Sequence, residues 1–212
     1  MTIEILKKAK RVFVFDTETT GLPDFKAPSS SEHQPHLTDV CALLYSMEGE
    51  LIESFEQLIA PKGWVVEEEA AALTGLTTEF LTINGGDERE AVARFCQLHK
   101  KADIRVAHNI GFDDRILRIA IKRYFGDAPA DRFKAAPNYC TALASKPIVK
   151  CPPTAKMQAS RFRNQFKTPN MQEALSFFYP GELIGGAHRA RPDAEACAKV
   201  FFALMKLEQV KA

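Results

Sequence analysis

Hydrophobic residues follow one another without interruption near the start of the chain. Val12, Phe13, Val14 and Phe15 form a continuous apolar run. A strand covered on both faces is apolar throughout, whereas a half-exposed strand alternates apolar with polar residues. The run therefore predicts a central strand of a sheet, with Phe13 and Phe15 buried.

The rest of the chain alternates between strand and helix patterns. Turn residues at 48–50 separate two apolar stretches and predict a hairpin. The predicted strands are 38–47, 51–59, 104–107 and 139–141. The predicted helices lie near 67–73, after a Thr77 cap, at 89–99, from Asp113 onward, at 171–178 and from Pro192 onward. This alternation predicts an α/β fold.

The composition is that of an ordinary globular chain. It has 212 residues, of which 46% are hydrophobic and 26% charged, so we expect a single domain over 1–212. No uncharged stretch approaches the length of a membrane span, and charged residues interrupt the apolar ones at the start, unlike a secretory signal. The five cysteines lack zinc-site spacing, and their odd number argues against a disulfide framework. A reducing, cytoplasmic compartment is expected.

Charge is unevenly distributed along the chain. From Glu48 to Glu90 the acids outnumber the only two bases, Lys62 and Arg89, whereas 132–172 contains no acid. Such asymmetry predicts a surface for a polyanion; the alternative is an irregular solvated loop. The bases of the acid-free stretch are Arg132, Lys134, Lys146, Lys150, Lys156, Arg161, Arg163 and Lys167.

Two phenylalanines lie within this acid-free stretch. Phe162 falls between Arg161 and Arg163, and Phe166 follows four residues later. Aromatic faces among bases suit the stacking of unpaired nucleotides. The alternative is that the two rings form one face of a helix packed on the core.

Two carboxylates end the apolar run. Asp16 and Glu18 are two residues apart, so in extended geometry their side chains point to one face. Adjacent carboxylates repel each other, and hard divalent cations such as Mg²⁺ or Mn²⁺ are natural partners for their oxygens. The alternative is a solvated turn after a strand, which a short motif alone does not exclude.

Two more aspartates and a histidine occupy comparable positions. Asp113 follows a second apolar strand and opens a helix, where capping is the alternative role. Asp193 follows Pro192, which fits the first turn of a helix. His188 precedes it after a glycine-containing loop; taken alone, it is an ordinary surface histidine.

Three motifs occur in this order: F-D-T-E-T-T-G-L at 15–22, H-N-x-x-F-D at 108–113 and H-x-A-x-x-D at 188–193. Together they closely resemble the motifs of the DEDDh branch of the DEDD 3'-to-5' exonucleases, which includes the proofreading subunit of bacterial replicative DNA polymerase. More narrowly, the chain looks like small stand-alone exonucleases of bacteria and phages. The resemblance covers about 11–207 and implies a ribonuclease H-like fold, a mixed central β-sheet flanked by helices on both faces.

The resemblance also implies roles for the site residues. Two divalent cations, Mg²⁺ or Mn²⁺, would be held by four carboxylates, with His188 as general base. Asp16 would bridge the ions, Glu18 and Asp193 would complete one site, and Asp113 would serve the other largely through water. The terminal nucleotide would contact Thr19, Thr20, Leu22, Asn109 and Phe112, although Phe112 equally suits a core position.

The activity expected from the resemblance is removal of nucleoside 5'-monophosphates from 3' ends of DNA. The alternatives are an RNA-trimming exonuclease and a catalytically idle module that binds nucleic-acid ends or a polymerase. Many relatives carry histidine at the position of Thr74, which leaves the choice between DNA and RNA open. Nothing resembles a polymerase or helicase, so the expected partners are nucleic-acid 3' ends and a polymerase or repair complex.

Overall fold

The structure is a computed structural model that describes residues 3–186 and 188–210, and its centre is a five-stranded mixed sheet. The strands are β1 (Arg11–Thr19), β2 (Leu37–Ser46), β3 (Leu51–Leu58), β4 (Ile104–Ala107) and β5 (Asn138–Cys140). Their order is β3-β2-β1-β4-β5, and β1 pairs antiparallel with β2 and parallel with β4. The strand that ends in the paired carboxylates is therefore the central one, as predicted.

Helices cover both faces of this sheet. They are α1 (Ile3–Lys8), α2 (Glu68–Thr74), α3 (Thr78–Asn84), α4 (Glu88–His99), α5 (Gly111–Phe125), α6 (Asp127–Ala135), α7 (Thr141–Val149), α8 (Ala155–Gln158), α9 (Met171–Phe178) and α10 (Ala190–Val210). Among the described residues, no helix combines the length and apolarity needed to cross a bilayer. The predicted α/β class, a mixed sheet between helical layers, is confirmed.

Alternate residues of β1 enter two separate cores. Val12 and Val14 pack with α9 and α10, whereas Phe13 and Phe15 pack with α4 and α5. All four side chains have 0% exposure, which confirms the predicted burial. Because side chains alternate along a strand, residues 16 and 18 continue toward α10 while residue 17 faces α5. This alternation decides how the site is assembled.

Most predicted element positions agree with the structure to within one or two residues. The Thr77 side chain accepts the Phe80 N–H and caps α3, and Gly49 adopts a φ of 94° in the β2–β3 turn. Four helices of the described residues, α1, α6, α7 and α8, are not predicted from the pattern. Pro129 sits in the first turn of α6, where its missing N–H is harmless, but Pro147 lies inside α7. Thr141 begins α7 instead of ending β5.

The loop at 23–36 is held against α5 by two arginines. Arg115 donates from Nη2 to the carbonyl oxygens of Asp24 and Ala27, at 2.9 and 2.6 Å. Arg123 donates to the carbonyl oxygen of Gln34 at 2.9 Å. These bonds fix the loop beside the end of β1.

Candidate active site

Three of the predicted metal ligands meet at the end of β1. One carboxylate oxygen each from Asp16, Glu18 and Asp193 lie within 4.8 Å of one another. Asp16 and Glu18 share the face of β1 that points to α10, and Asp193 belongs to the first turn of that helix. The first motif supplies Asp16 and Glu18 at a spacing of two, and the third supplies Asp193 at the start of a helix. Together they form one cluster.

Asp113 lies on the other side of β1 from this cluster. Its Oδ1 accepts the Thr17 N–H at 3.1 Å and the Thr17 hydroxyl at 2.8 Å. Thr17 faces α5 because it alternates with Asp16, and Asp113 lies in the first turn of α5. The carboxylate thus links α5 to β1 and is only 3% exposed, whereas the N-cap position of α5 is occupied by Ile110.

Burial and mutual repulsion raise the pKa values of these acids. Burial raises the pKa of Glu18 to about 8, with further contributions from the charges of Asp193 and Asp39. Burial raises the pKa of Asp113 to about 7. The pKa of Asp16 lies well above its ordinary value, because the carboxyl is buried and is repelled by Asp113 and Glu18. A cluster of oxygen donors whose charges repel one another fits hard divalent cations.

These pKa values predict that the metal-free protein loses stability as the pH rises. Glu18 and Asp113 keep their protons to about 8 and 7 in the folded state, against ordinary values of 4.5 and 3.8. The folded state therefore binds more protons than the unfolded state across this window, and the free energy of unfolding falls with increasing pH. Urea unfolding in EDTA measures it, and Mg²⁺ should restore most stability at the alkaline end. A metal-free protein that gained stability from acidic to alkaline pH would contradict this expectation.

His188 lies beside the cluster in an unusual backbone conformation. Its φ is 38°, in the left-handed region that non-glycine residues rarely adopt, at a typical cost of about 1–3 kcal/mol. The side chain is exposed yet lines the same cavity as the carboxylates. Burial raises the pKa of Asp193, and the nearby His188 opposes that shift.

The site cavity measures about 160 Å³ and includes two of the predicted nucleotide contacts. Asn109 lies on its wall with a φ of 61°, a second left-handed non-glycine residue. Phe112 also lines it and at the same time packs against the core beneath α4 and α5. Phe112 therefore packs on the core, as the alternative expected, and its contact with the terminal nucleotide stays a prediction.

The other three predicted contacts, Thr19, Thr20 and Leu22, are not among the residues that line this cavity. The Thr19 hydroxyl donates to the Gly21 carbonyl at 2.7 Å, and the Thr20 hydroxyl accepts the His36 N–H at 3.1 Å. Both hydroxyls are thus occupied in shaping the turn after β1. Thr20 lines a separate cavity of about 330 Å³ together with Leu22, which is 82% exposed.

His108, the first residue of the second motif and one to which the sequence analysis assigns no role, forms part of the cavity wall. Its Nε2 lies 3.0 Å from the carbonyl oxygen of Pro169, so Nε2 carries the proton that is donated. Its Nδ1 lies 2.9 Å from the hydroxyl of Thr141. The one signal in the sequence was its place beside Asn109 in the second motif. His108 joins the end of β4 to two distant segments.

Asp39 is a second residue that the pattern does not single out. It has 0% exposure in the apolar strand β2 and accepts hydrogen bonds from the two residues after His188, Arg189 and Ala190. The available signal was an acid within an otherwise apolar strand, because a buried charge requires a partner.

The sequence model of the RNase_T family, described as Exonuclease, matches residues 13–201. No curated protein matches the chain by sequence. Among solved structures, E. coli exonuclease I in complex with a dT13 oligonucleotide is 19% identical, with a TM-score of 0.70 over 95% of this chain and 42% of that chain. The E. coli enzyme with a dA16 oligonucleotide is 17% identical, with a TM-score of 0.67 over 93% and 41%. A product-bound structure of exonuclease I is 16% identical, with a TM-score of 0.68 over 94% and 44%.

The structural matches confirm the predicted ribonuclease H-like fold. This chain spans less than half the length of the exonuclease I chains that it matches. The match to the family covers most of the chain and all three motifs, from Phe15 to Asp193. Enzymes of this family are typically metal-dependent, in agreement with the acidic cluster. The chain therefore belongs to the RNase_T exonuclease family, hydrolases among the DEDD 3'-to-5' exonucleases.

Proposed function

We propose that this chain, as a single domain over 1–212, removes nucleoside 5'-monophosphates from 3' ends of DNA by the two-cation chemistry of the DEDDh branch. The observation that carries the proposal is the cluster of Asp16, Glu18 and Asp193, with His188 and Asp113 on the same cavity. Support for DNA comes from the exonuclease I structures with dT13 and dA16 oligonucleotides.

The carboxylates provide the ligands for the cations. Asp16, Glu18 and Asp193 offer only oxygen atoms, which suit Mg²⁺ or Mn²⁺. Asp113 has one oxygen engaged by Thr17, which agrees with a role through water. When bound, two such cations neutralise the clustered charge and stabilise the attacking and leaving oxygens of a phosphodiester.

His188 is the proposed general base. Its imidazole lines the cavity that the carboxylates share, and it is open to solvent. In the reaction it takes a proton from the attacking water, whose oxygen bonds to phosphorus while the bond to the 3' oxygen of the preceding nucleotide breaks. Asp193 lies close enough to stabilise the resulting imidazolium. Asn109 and Phe112, which line the same cavity, would hold the terminal nucleotide.

Incubation with 5'-labelled oligonucleotides tests this function. Single- and double-stranded DNA and RNA are each supplied with Mg²⁺, Mn²⁺ or EDTA. We expect DNA to shorten from its 3' end only with a cation and to release nucleoside 5'-monophosphates. An Asp16→Asn preparation controls for contaminating nucleases. Faster shortening of RNA than of DNA would reassign the substrate to RNA. If no substrate is shortened under any condition, the proposed exonuclease activity is refuted.

A positively charged loop, residues 151–167, directly precedes a segment that lies at this site. The Lys167 N–H donates to the Cys151 carbonyl at 3.1 Å and closes the loop at its base. Two residues later, the Pro169 carbonyl bonds to His108, and Met171 lines the site cavity. We name 151–167 the basic loop; its exposed bases are Lys156, Arg161 and Arg163.

Phe162 and Phe166 do not pack on the core as one helix face, so that alternative is wrong. They are 40% and 44% exposed in a segment of turns, and the Arg161 guanidinium lies 4.9 Å from the centre of the Phe162 ring. The acid-free stretch is also not a single surface. Arg132 lines a groove with Ile104 at the start of β4, the end of the strand opposite the site. The basic loop is therefore the part suited to single-stranded DNA.

Replacing Lys156, Arg161 and Arg163 together by Ala should flatten the salt dependence of DNA binding. Each phosphate contact contributes about 0.7 to the slope of log affinity against log salt on a single strand, so three lost contacts lower it by about 2. Fluorescence anisotropy with labelled oligonucleotides in Ca²⁺ or EDTA measures the slope.

The matched control replaces three exposed bases, Lys7 in α1 and Lys10 and Arg11 at the beginning of β1. At about 3.3 Å per strand residue, Arg11 lies roughly 23 Å from Glu18, at the other end of β1, so removal of these three bases should leave the slope unchanged. Equal slopes for the wild type and the basic-loop variant would show that the loop does not bind DNA.

A further inference from the structure

A buried carboxylate of β2 holds the chain directly after His188. Oδ2 of Asp39 accepts the Nε–H of Arg189 at 2.7 Å and the N–H of Ala190 at 3.3 Å. Arg189 is the neighbour of His188, and Ala190 is the first residue of α10. One carboxylate oxygen therefore fixes two consecutive residues between the histidine and the helix that carries Asp193.

The burial of the Asp39 carboxylate costs the folded state free energy. Its side chain has 0% exposure, and it pairs across the strands with a second acid, Glu18, whose pKa the charge of Asp39 helps to raise. Oδ1 of Asp39 has no hydrogen-bond partner among the described residues. Apolar residues of similar volume often stabilise a protein more than a buried ion pair does. A carboxylate at this position indicates a role in setting geometry.

His188 is a residue that needs such an anchor. A non-glycine residue with a φ of 38° keeps this conformation only where its surroundings hold it. Gly185 and Gly186 precede it closely and leave the backbone on that side permissive. On the other side the chain is bonded at once to Asp39, through Arg189 and Ala190. The anchor on the helix side thus sets the position of His188.

We propose that Asp39 is a positioning residue that holds the His188 backbone, through Arg189 and Ala190, in the orientation that directs its imidazole into the carboxylate cavity. The catalytic part of this inference rests on the proposed function of His188 as base, whereas the anchoring part is independent of it. Asp39 acts through the main chain and lies outside the trio of Asp16, Glu18 and Asp193.

The kinetic test combines Asp39→Asn with His188→Ala. Asn keeps the shape of the side chain and removes its charge, so in the wild-type background kcat should fall about 10²-fold, as for a misplaced catalytic group, with little change in KM. In the His188→Ala background the same substitution should cost less than about 2-fold, because nothing remains to be positioned. Equal losses in both backgrounds, or no loss in the wild type, would overturn the proposal. Arg189→Gln breaks the ion pair from its partly exposed side if Asp39→Asn does not fold.

A second test uses neither metal nor nucleic acid. Trypsin cleaves after Arg189, whereas the bond after Arg191 is protected by Pro192. In EDTA, Asp39→Asn should release the fragment that begins at Ala190 faster than the wild type does. Equal cleavage rates would refute the anchoring.

The matched control for proteolysis is Asp103→Asn. Asp103 likewise accepts two main-chain N–H groups, those of Lys10 and Arg11 at 2.8 and 3.0 Å, at the far end of β1. Trypsin should cleave the Asp103→Asn variant after Arg189 at the wild-type rate. If it cleaved this variant as fast as Asp39→Asn, the anchoring by Asp39 would be refuted. If the wild type degrades no nucleic acid, the proposed function fails, but proteolysis still decides the anchoring.

Discussion

Replacing Asp16 by Asn should abolish cleavage and, without cations, stabilise the protein. Asp16 belongs to the carboxylate trio, and its charge is repelled by Asp113, Glu18 and Asp193. Asn offers a weaker ligand for a cation but removes that repulsion. We expect activity below detection and an increase of about 0.5–2 kcal/mol in the free energy of unfolding, a common exchange of function for stability.

The measurements are the oligonucleotide assay with Mg²⁺ and urea unfolding in EDTA. The gain in stability should be largest above pH 8, since Glu18, with a pKa of about 8, is then ionised in the folded state. Asp103→Asn, at the other end of β1, should keep full activity. Retained activity in Asp16→Asn would remove Asp16 from the site, and unchanged stability would show that the carboxylates do not repel one another.

Local patterns in the sequence predicted the centre of the fold because they reflect local physics. A run of four apolar residues needs cover on two faces, and Phe13 and Phe15 are indeed fully buried. The same alternation predicted that Asp16 and Glu18 share a face. The sequence pattern did not predict α7, because this helix contains Pro147, and proline is rare inside helices.

The supporting contacts of the site could not be predicted in this way. Asp39 and Arg189 are 150 residues apart, and His108 and Pro169 are 61 apart. Neither pair leaves a periodic signal, because its partners are distant in the sequence and are brought together only by the tertiary fold. The motifs therefore indicate which residues gather, whereas the contacts that orient them emerge from the fold.

For Asp113 as well, the motif predicted the position in the fold but not the contact that orients the side chain. Its motif predicted a place at the start of a helix, and the structure puts it in the first turn of α5. Its attachment to Thr17 follows from the alternation along β1, which turns Thr17 away from Asp16. The four acids therefore approach the cavity from both sides of the central strand.

Replacing His188 by Ala should separate binding from turnover. The carboxylates remain, so cations and DNA should bind with wild-type affinity, whereas kcat should fall by about 10²–10⁴, the usual contribution of a general base. Single-turnover kinetics with a labelled oligonucleotide measure the step, and anisotropy in Ca²⁺ measures binding. Asp16→Asn should differ by losing cation binding as well.

His188 is exposed and borders a cavity of about 160 Å³, so free imidazole has access to the space that the truncated side chain leaves. Added imidazole should therefore raise the rate of His188→Ala, and should leave Asp16→Asn inactive because that variant lacks a ligand and not a base. Full activity of His188→Ala across neutral pH would require another group to take the proton, and the assignment of His188 as base would be withdrawn.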